Sequence, residues 1–264
     1  MDVTFEKNGF GKRMKSMLKV DFKRMFTMPM VYIMTGVCLV VPILILVMTT
    51  MMSSSPVNPT TDAETTAETF TNVWQSIGSV SGSGMSMGLT GMCNINLMYF
   101  LIPVLVCIFV GEDFKSGYAK NLFALRSKKV DYVISKSLVG FVGGTLMIFA
   151  YFIGSIIGGA IAGLPFDTTG FGIGGIIACM FSKWFLAAVF VAISLLLGVV
   201  AKQKIWLSIL CSFAAGAILF AMLPMMAPLN STFINVIMCL AGGALFAVGF
   251  GAISNVILNK TNLV

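Results

Sequence analysis

The stretch IIACMFSKWFLAAVFVAISLLLGVV, residues 176–200, runs for twenty-five residues with one charge, Lys183. A bilayer core takes about 20 apolar residues as helix, within a range of about 17–25, so this stretch is predicted to cross a membrane. Five more of the same kind lie at 31–52, 94–110, 137–163, 205–227 and 233–258. The segments between them alternate in charge. Lys7, Lys12, Arg13, Lys15, Lys19, Lys23 and Arg24 precede the first stretch. Lys115, Lys120, Arg126, Lys128, Lys129 and Lys136 follow the second, Lys202 and Lys204 follow the fourth, and Lys260 follows the last. If each stretch is one crossing, sixteen of the seventeen Lys and Arg residues face the same side. Cytoplasmic loops collect Lys and Arg, so both termini are expected in the cytoplasm. The expected fold class is an all-α membrane protein of six transmembrane helices.

Composition agrees. With 58% hydrophobic and 10% charged residues, the chain departs from soluble domains, which carry about 25% charge. The net charge of +7 reads as topology and as contact with anionic lipid heads, with no nucleic-acid partner. The first apolar run is longer than a signal-peptide core and lacks a clear small-residue cleavage site, so it is expected to stay as a helix. The organisation is therefore a segment 1–30 followed by a transmembrane domain 31–264, with a first outer loop at 53–93.

Within 12–28, Met14, Met17, Leu18, Phe22, Met25 and Phe26 recur at helical spacing while Lys15, Lys19 and Lys23 form a second stripe. That pattern predicts an amphipathic helix lying in the membrane interface, ended by Pro29. In the outer loop, Phe70, Val73, Trp74 and Ile77 share one helical face. A short helix on the outer surface or over the mouth of a transport path is expected there, with a loose loop as the alternative. The glycine pairs 140/144, 154/158 and 159/163 permit close helix approach.

The chain contains no His, and its acidic residues avoid the apolar cores. Ion-coupled carriers need intramembrane ionisable groups, so such a carrier is disfavoured. Lys183 is the exception, readable as an interfacial anchor that snorkels outward or as a cation facing an anionic substrate. With Phe70 and Trp74 it forms the set of candidate substrate contacts. The methionines read as apolar packing rather than as a copper site, so no metal is expected. Of the six cysteines, Cys93 and Cys179 fall toward the outer side and are the one pair worth considering for a disulfide.

The inner segment 111–136 reads GEDFKSGYAKNLFALRSKKVDYVISK. Taken alone it is a charged helix or helix pair joining two spans. It also resembles the signature region of the ABC type 2 permeases, the membrane subunits of a class of ABC exporters. In that family a Glu ends the second span, a Gly follows, then a Leu-rich turn, a Pro-x-x-Arg element and a Lys opening the third span. Glu112, Gly117, Leu122, Lys129 in the Arg position and Lys136 fall in register, while Arg126 stands where the family has Pro.

The resemblance implies a half-transporter that pairs with a second permease copy or a homologous permease and rests on separate ATP-binding cassette ATPase subunits. It makes 111–136 the coupling segment, with Glu112, Asp113, Lys115 and Lys120 as charged contacts, Gly117 at the turn and Phe114 or Tyr118 as apolar anchor. Arg126, Lys129 and Lys136 are its inner-loop basic residues. The chain has no Gly-x-x-x-x-Gly-Lys-Ser/Thr motif and so is expected to be no enzyme, with ATP and Mg held by the partner. The expected cargo is hydrophobic or amphipathic, first a peptide such as a bacteriocin or lantibiotic, otherwise a drug, lipid or glycan. A non-transporting scaffold or immunity subunit shares the same topology.

Overall fold

The computed structural model describes residues 9–53, 70–79, 93–124, 128–220 and 226–260. Among the described residues the regular structure is helical throughout: α1 Phe10–Thr27, α2 Pro29–Ser53, α3 Met98–Lys115, α4 Tyr118–Ala124, α5 Lys129–Ala162, α6 Gly172–Ala201, α7 Ile205–Phe220 and α8 Phe233–Lys260. Five helices (α2, α3, α5, α6 and α8) are long and apolar enough to cross a membrane. The stretch predicted at 205–227 is described as helix over 16 residues, α7, with 221–225 outside the described residues.

The helices run past the predicted spans. With 34 residues, α5 is about 51 Å long at 1.5 Å per residue, against about 30 Å of hydrocarbon. Its first turns, which carry Asp131 and Lys136, are continuous with the apolar run. Large apolar side chains stay exposed along α2, α7 and α8, among them Leu44, Met48, Leu210, Ile218, Leu245 and Val248. Such exposure belongs in lipid.

Two close pairings organise the bundle, α8 along α6 and α2 along α5. The second rests on backbone contact. A Cβ on Gly154 would collide with the Leu39 carbonyl oxygen, and one on Gly158 would stand 2.7 Å from the Ile43 Cα. Pro42 sits in α2 at this crossing, where proline removes a helical N–H.

The contacts of α1 add bundle packing to the expected amphipathic helix. Arg13 meets Asp131, Asp21 meets Ser135 and Lys136, and the Met25 sulfur lies against Gly143. The contact points advance in the same direction along both helices, so α1 runs beside α5 and leads toward α2. Its apolar stripe packs in part against protein, with Met25 buried, Met17, Leu18 and Phe22 half-buried against the core and Phe26 exposed. Asp21, fully buried within that stripe, is the physical reason, because a carboxylate there requires a cation that only the bundle supplies. Lys15, Lys19 and Lys23 face away, exposed.

At the opposite end residues 70–79 of the predicted outer loop pack onto the bundle. The predicted helix near 70–77 is a single 3-10 turn, Val73–Ser76, capped reciprocally by Asn72 and Gln75. Val73 N–H donates to the Pro165 carbonyl, Asn72 Nδ2 to the Asp167 carbonyl at 2.6 Å, and Leu229 N–H to the Ser79 carbonyl at 2.8 Å. Phe70, Val73 and Ile77 are buried, so this segment is built into the structure rather than laid on it. Cys93 and Cys179 are both free thiols, and Cys179 Sγ donates to the Ala227 carbonyl. The disulfide considered for them does not form. Oxidation with copper phenanthroline is therefore expected to leave the monomer's non-reducing gel mobility unchanged.

Candidate functional site

Among the described residues, the cations predicted to share one side gather at one end of the bundle. Val110 beside Gly198, and Ile205 against Gly111, bring the α6–α7 turn to the end of α3, and Lys129 Nζ donates to the Leu258 carbonyl near the end of α8. Within this end lies a buried ion cluster. Lys136 Nζ stands 2.9 Å from Asp21 Oδ1 and 2.7 Å from Asp113 Oδ2, with all three side chains sealed from solvent. Arg24 Nη1 reaches Asp113 Oδ1 at 2.6 Å. Two carboxylates and two cations make the cluster neutral, which a low-dielectric position demands.

Hydrogen bonds and rings complete it. Tyr132 donates its hydroxyl to Asp113, and Ser135 donates to Asp21. The Lys136 ammonium lies 3.8 Å from the Phe109 ring centroid, and the Arg24 guanidinium 3.9 Å from that of Tyr118, geometries that favour a cation over a ring face. Burial pushes the Tyr118 phenol above its ordinary range, so it stays neutral at physiological pH. One cluster thus ties α1, the end of α3, α4 through Tyr118, and the start of α5.

The inner segment is consequently divided. Glu112, Asp113, Phe114 and Lys115 form the last turn of α3. Gly117, at φ +73, makes the turn into α4, a conformation that glycine adopts without the penalty an L side chain meets. Tyr118 opens α4 and Lys120 lies on its exposed side. Lys129 and Lys136 belong to α5, and Arg126 lies outside the described residues. Asp113, Phe114 and Lys136 point inward, while Lys115, Ser116, Lys120 and Asn121 are exposed and Glu112 is half-buried. Ala124, Lys128 and Val130 are exposed as well, so among the described residues the segment's outward side chains run from Lys115 to Val130 with Ala119 buried between them.

The second polar centre surrounds Lys183. The side chain is 1% exposed, twelve positions into α6, and its ammonium donates to Asn96 Oδ1 at 2.6 Å. Tyr99 donates to the Lys183 carbonyl and stacks on Phe190 at 4.7 Å. This overturns the snorkelling reading, because the amine turns inward to the start of α3 instead of outward to water. Phe70 and Trp74 are placed in the outer cap. Trp74 packs edge-on against Phe166, and its indole N–H finds no acceptor among the described residues.

Sequence reasoning missed Asp21 and Asn96. Asp21 carried a usable signal, standing four residues after Met17 and four before Met25 on the apolar stripe. Asn96 carried none, being a polar residue near a predicted span end. Among the described residues no group of three or more His, Cys, Asp or Glu side chains can hold a metal. No family model, curated protein or solved structure matches this chain.

Proposed function

We propose that this chain is the membrane subunit of an ATP-driven ABC exporter, embedded in a bacterial plasma membrane with its cation-rich end in the cytoplasm. The supporting observation is a short helix, α4, exposed at Lys120, Asn121 and Ala124 and set between two membrane-length helices whose ends one buried ion cluster clamps. A partner pressing on α4 would move α3 and α5 together as rigid levers. Lys115, Lys120 and Asn121 supply the docking face. Asp113, Lys136 and Tyr132 hold the frame behind it. ATP and Mg belong to the separate ATPase subunits, and the exposed apolar helix faces suit lipid and a second permease copy. The cargo is hydrophobic or amphipathic, first a peptide of the bacteriocin or lantibiotic kind.

The test is co-purification with candidate ATP-binding cassette ATPase subunits co-expressed with this chain. Reversing the two exposed charges (K115E with K120E) is expected to weaken capture by about tenfold while leaving the fold intact. Replacing Gly117 by Ala adds about 1–2 kcal/mol of left-handed strain at the turn and is expected to weaken capture as well. Capture unchanged in both variants would refute the docking assignment.

A further inference from the structure

The outward side of α1 and α2 changes character along its length. Lys12, Lys15, Lys19 and Lys23 are all exposed, and their spacing of three and four residues sets them on one side of α1. The one acid of α1, Asp21, points the other way, to Ser135 and Lys136 of α5. After Lys23 the exposed side turns aromatic. Phe26 stacks on Phe22 at 6.2 Å, and Tyr32, 62% exposed, donates its hydroxyl to the Phe26 carbonyl. Past Tyr32 it is aliphatic, through Ile33, Val40, Leu44 and Met48, and α2 carries no charged residue.

That sequence of side chains marks where hydrocarbon begins. Aromatic rings gather at membrane–water boundaries, which puts the boundary at Phe26 and Tyr32. The neighbouring helix agrees. Met25 lies against Gly143, and from there to Gly163, the C-cap of α5, the helix rises about 30 Å, the thickness of the hydrocarbon layer. Phe149, Ile153, Ile157 and Ile161, all exposed, fall within that length. Head groups occupy about 5–7 Å on each side of it. Lys23 stands about 5 Å before Phe26, within the headgroup layer. Lys19 stands about 10 Å before Phe26, where its long side chain reaches the edge of that layer. Lys15 and Lys12 are about 17 and 21 Å away, past the head groups.

We infer that Lys19 and Lys23 bind the phosphate of an anionic phospholipid in the leaflet at the cation-rich end of the bundle, with the Phe22–Phe26 stack and Tyr32 against its glycerol and upper acyl chains. Each ammonium offers three donors to phosphate oxygens, and a zwitterionic lipid is the poorer ligand because it brings its own cation. An acidic protein surface would match the lysines alone. The bilayer matches the whole side, which passes from lysine through aromatic to exposed aliphatic residues within three turns. Packing of α1 on α5 through Asp21 and Met25 holds the two lysines at that depth.

The test reconstitutes the full chain in phosphatidylcholine vesicles, with W74F, W184F and W206F removing its three tryptophans and F26W as the reporter. At equal mole fraction, brominated phosphatidylglycerol is expected to quench the reporter more than brominated phosphatidylcholine. In K19Q with K23Q that preference is expected to fall about fivefold or more, while K12Q with K15Q, which removes the same charge from the same side, keeps it. Should the tryptophan-free background fail to fold, the thermal midpoint of the parent chain in detergent serves instead. Added phosphatidylglycerol is expected to raise it more than phosphatidylcholine does, in the parent and in K12Q with K15Q but not in K19Q with K23Q. No preference between the two lipids, or a fall as large in K12Q with K15Q, would overturn the site. No ATPase takes part. Lipid preference without ATPase capture would sink the exporter reading alone, and capture without lipid preference would sink the lipid site alone.

Discussion

Lys136→Met is expected to lower stability by about 3–5 kcal/mol, because it strands Asp21 and Asp113 without the cation they share. Both carboxylates are fully buried, so water cannot replace the lost ion pair without opening the joint between α1, α3 and α5. The loss should show as a lower thermal midpoint in detergent and as faster proteolysis of the α1 segment. Removing the charges together should cost less. In K136M with D21N the Asp113–Arg24 pair still stands and no buried carboxylate is left unpaired, so the double variant is expected to be more stable than K136M alone. Such non-additivity is the mark of residues acting as one network. Independent, additive losses would mean that Lys136 and Asp21 do not form a unit.

Gly154→Leu is expected to have an effect of similar size by a different route. At Gly154 the α2 backbone occupies the space of a side chain, with the Leu39 carbonyl and Pro42 as the nearest atoms. Backbone atoms cannot rotate aside, so α2 must leave α5. The expected result is loss of a monodisperse peak in size-exclusion chromatography, with Gly158→Leu behaving alike through Ile43. Gly140→Ala, which would press only on the side chains of Val106 and Val191, should be tolerated with a loss of about 1–2 kcal/mol. If Gly154→Leu behaves like Gly140→Ala, the α2–α5 contact described above is wrong.

These contrasts also mark what the amino-acid order makes legible. Apolar length alone places the membrane-length helices, because the bilayer imposes one number on each. The glycine spacing at 154 and 158 announces a close crossing but not its partner. The α1 stripe was legible as amphipathic, yet its direction was not. Interfacial and bundle-packed helices share one pattern, and only Asp21 within the stripe separates them. Its partner Ser135 stands 114 positions away, a distance no local pattern spans. Lys183 was visible as the lone cation out of place, but whether it faced lipid, water or protein depended on Asn96 from another helix. The helices continue past the span ends expected at 110 and 137. Internal pairing lets Asp113 and Lys136 continue them.

The most direct test of the central claim is site-specific cross-linking from α4. Asn121, exposed on α4, is changed to Cys in a chain whose exposed Cys211 is Ser, and this chain is assembled with candidate ATP-binding cassette ATPase subunits and treated with a short thiol-to-amine cross-linker. The account predicts a cross-linked product joining the two chains from position 121, altered in yield by ATP and absent when Cys is placed instead at exposed Ile218 on α7. No product from position 121 in an assembly that otherwise forms, or equal products from both positions, would contradict it.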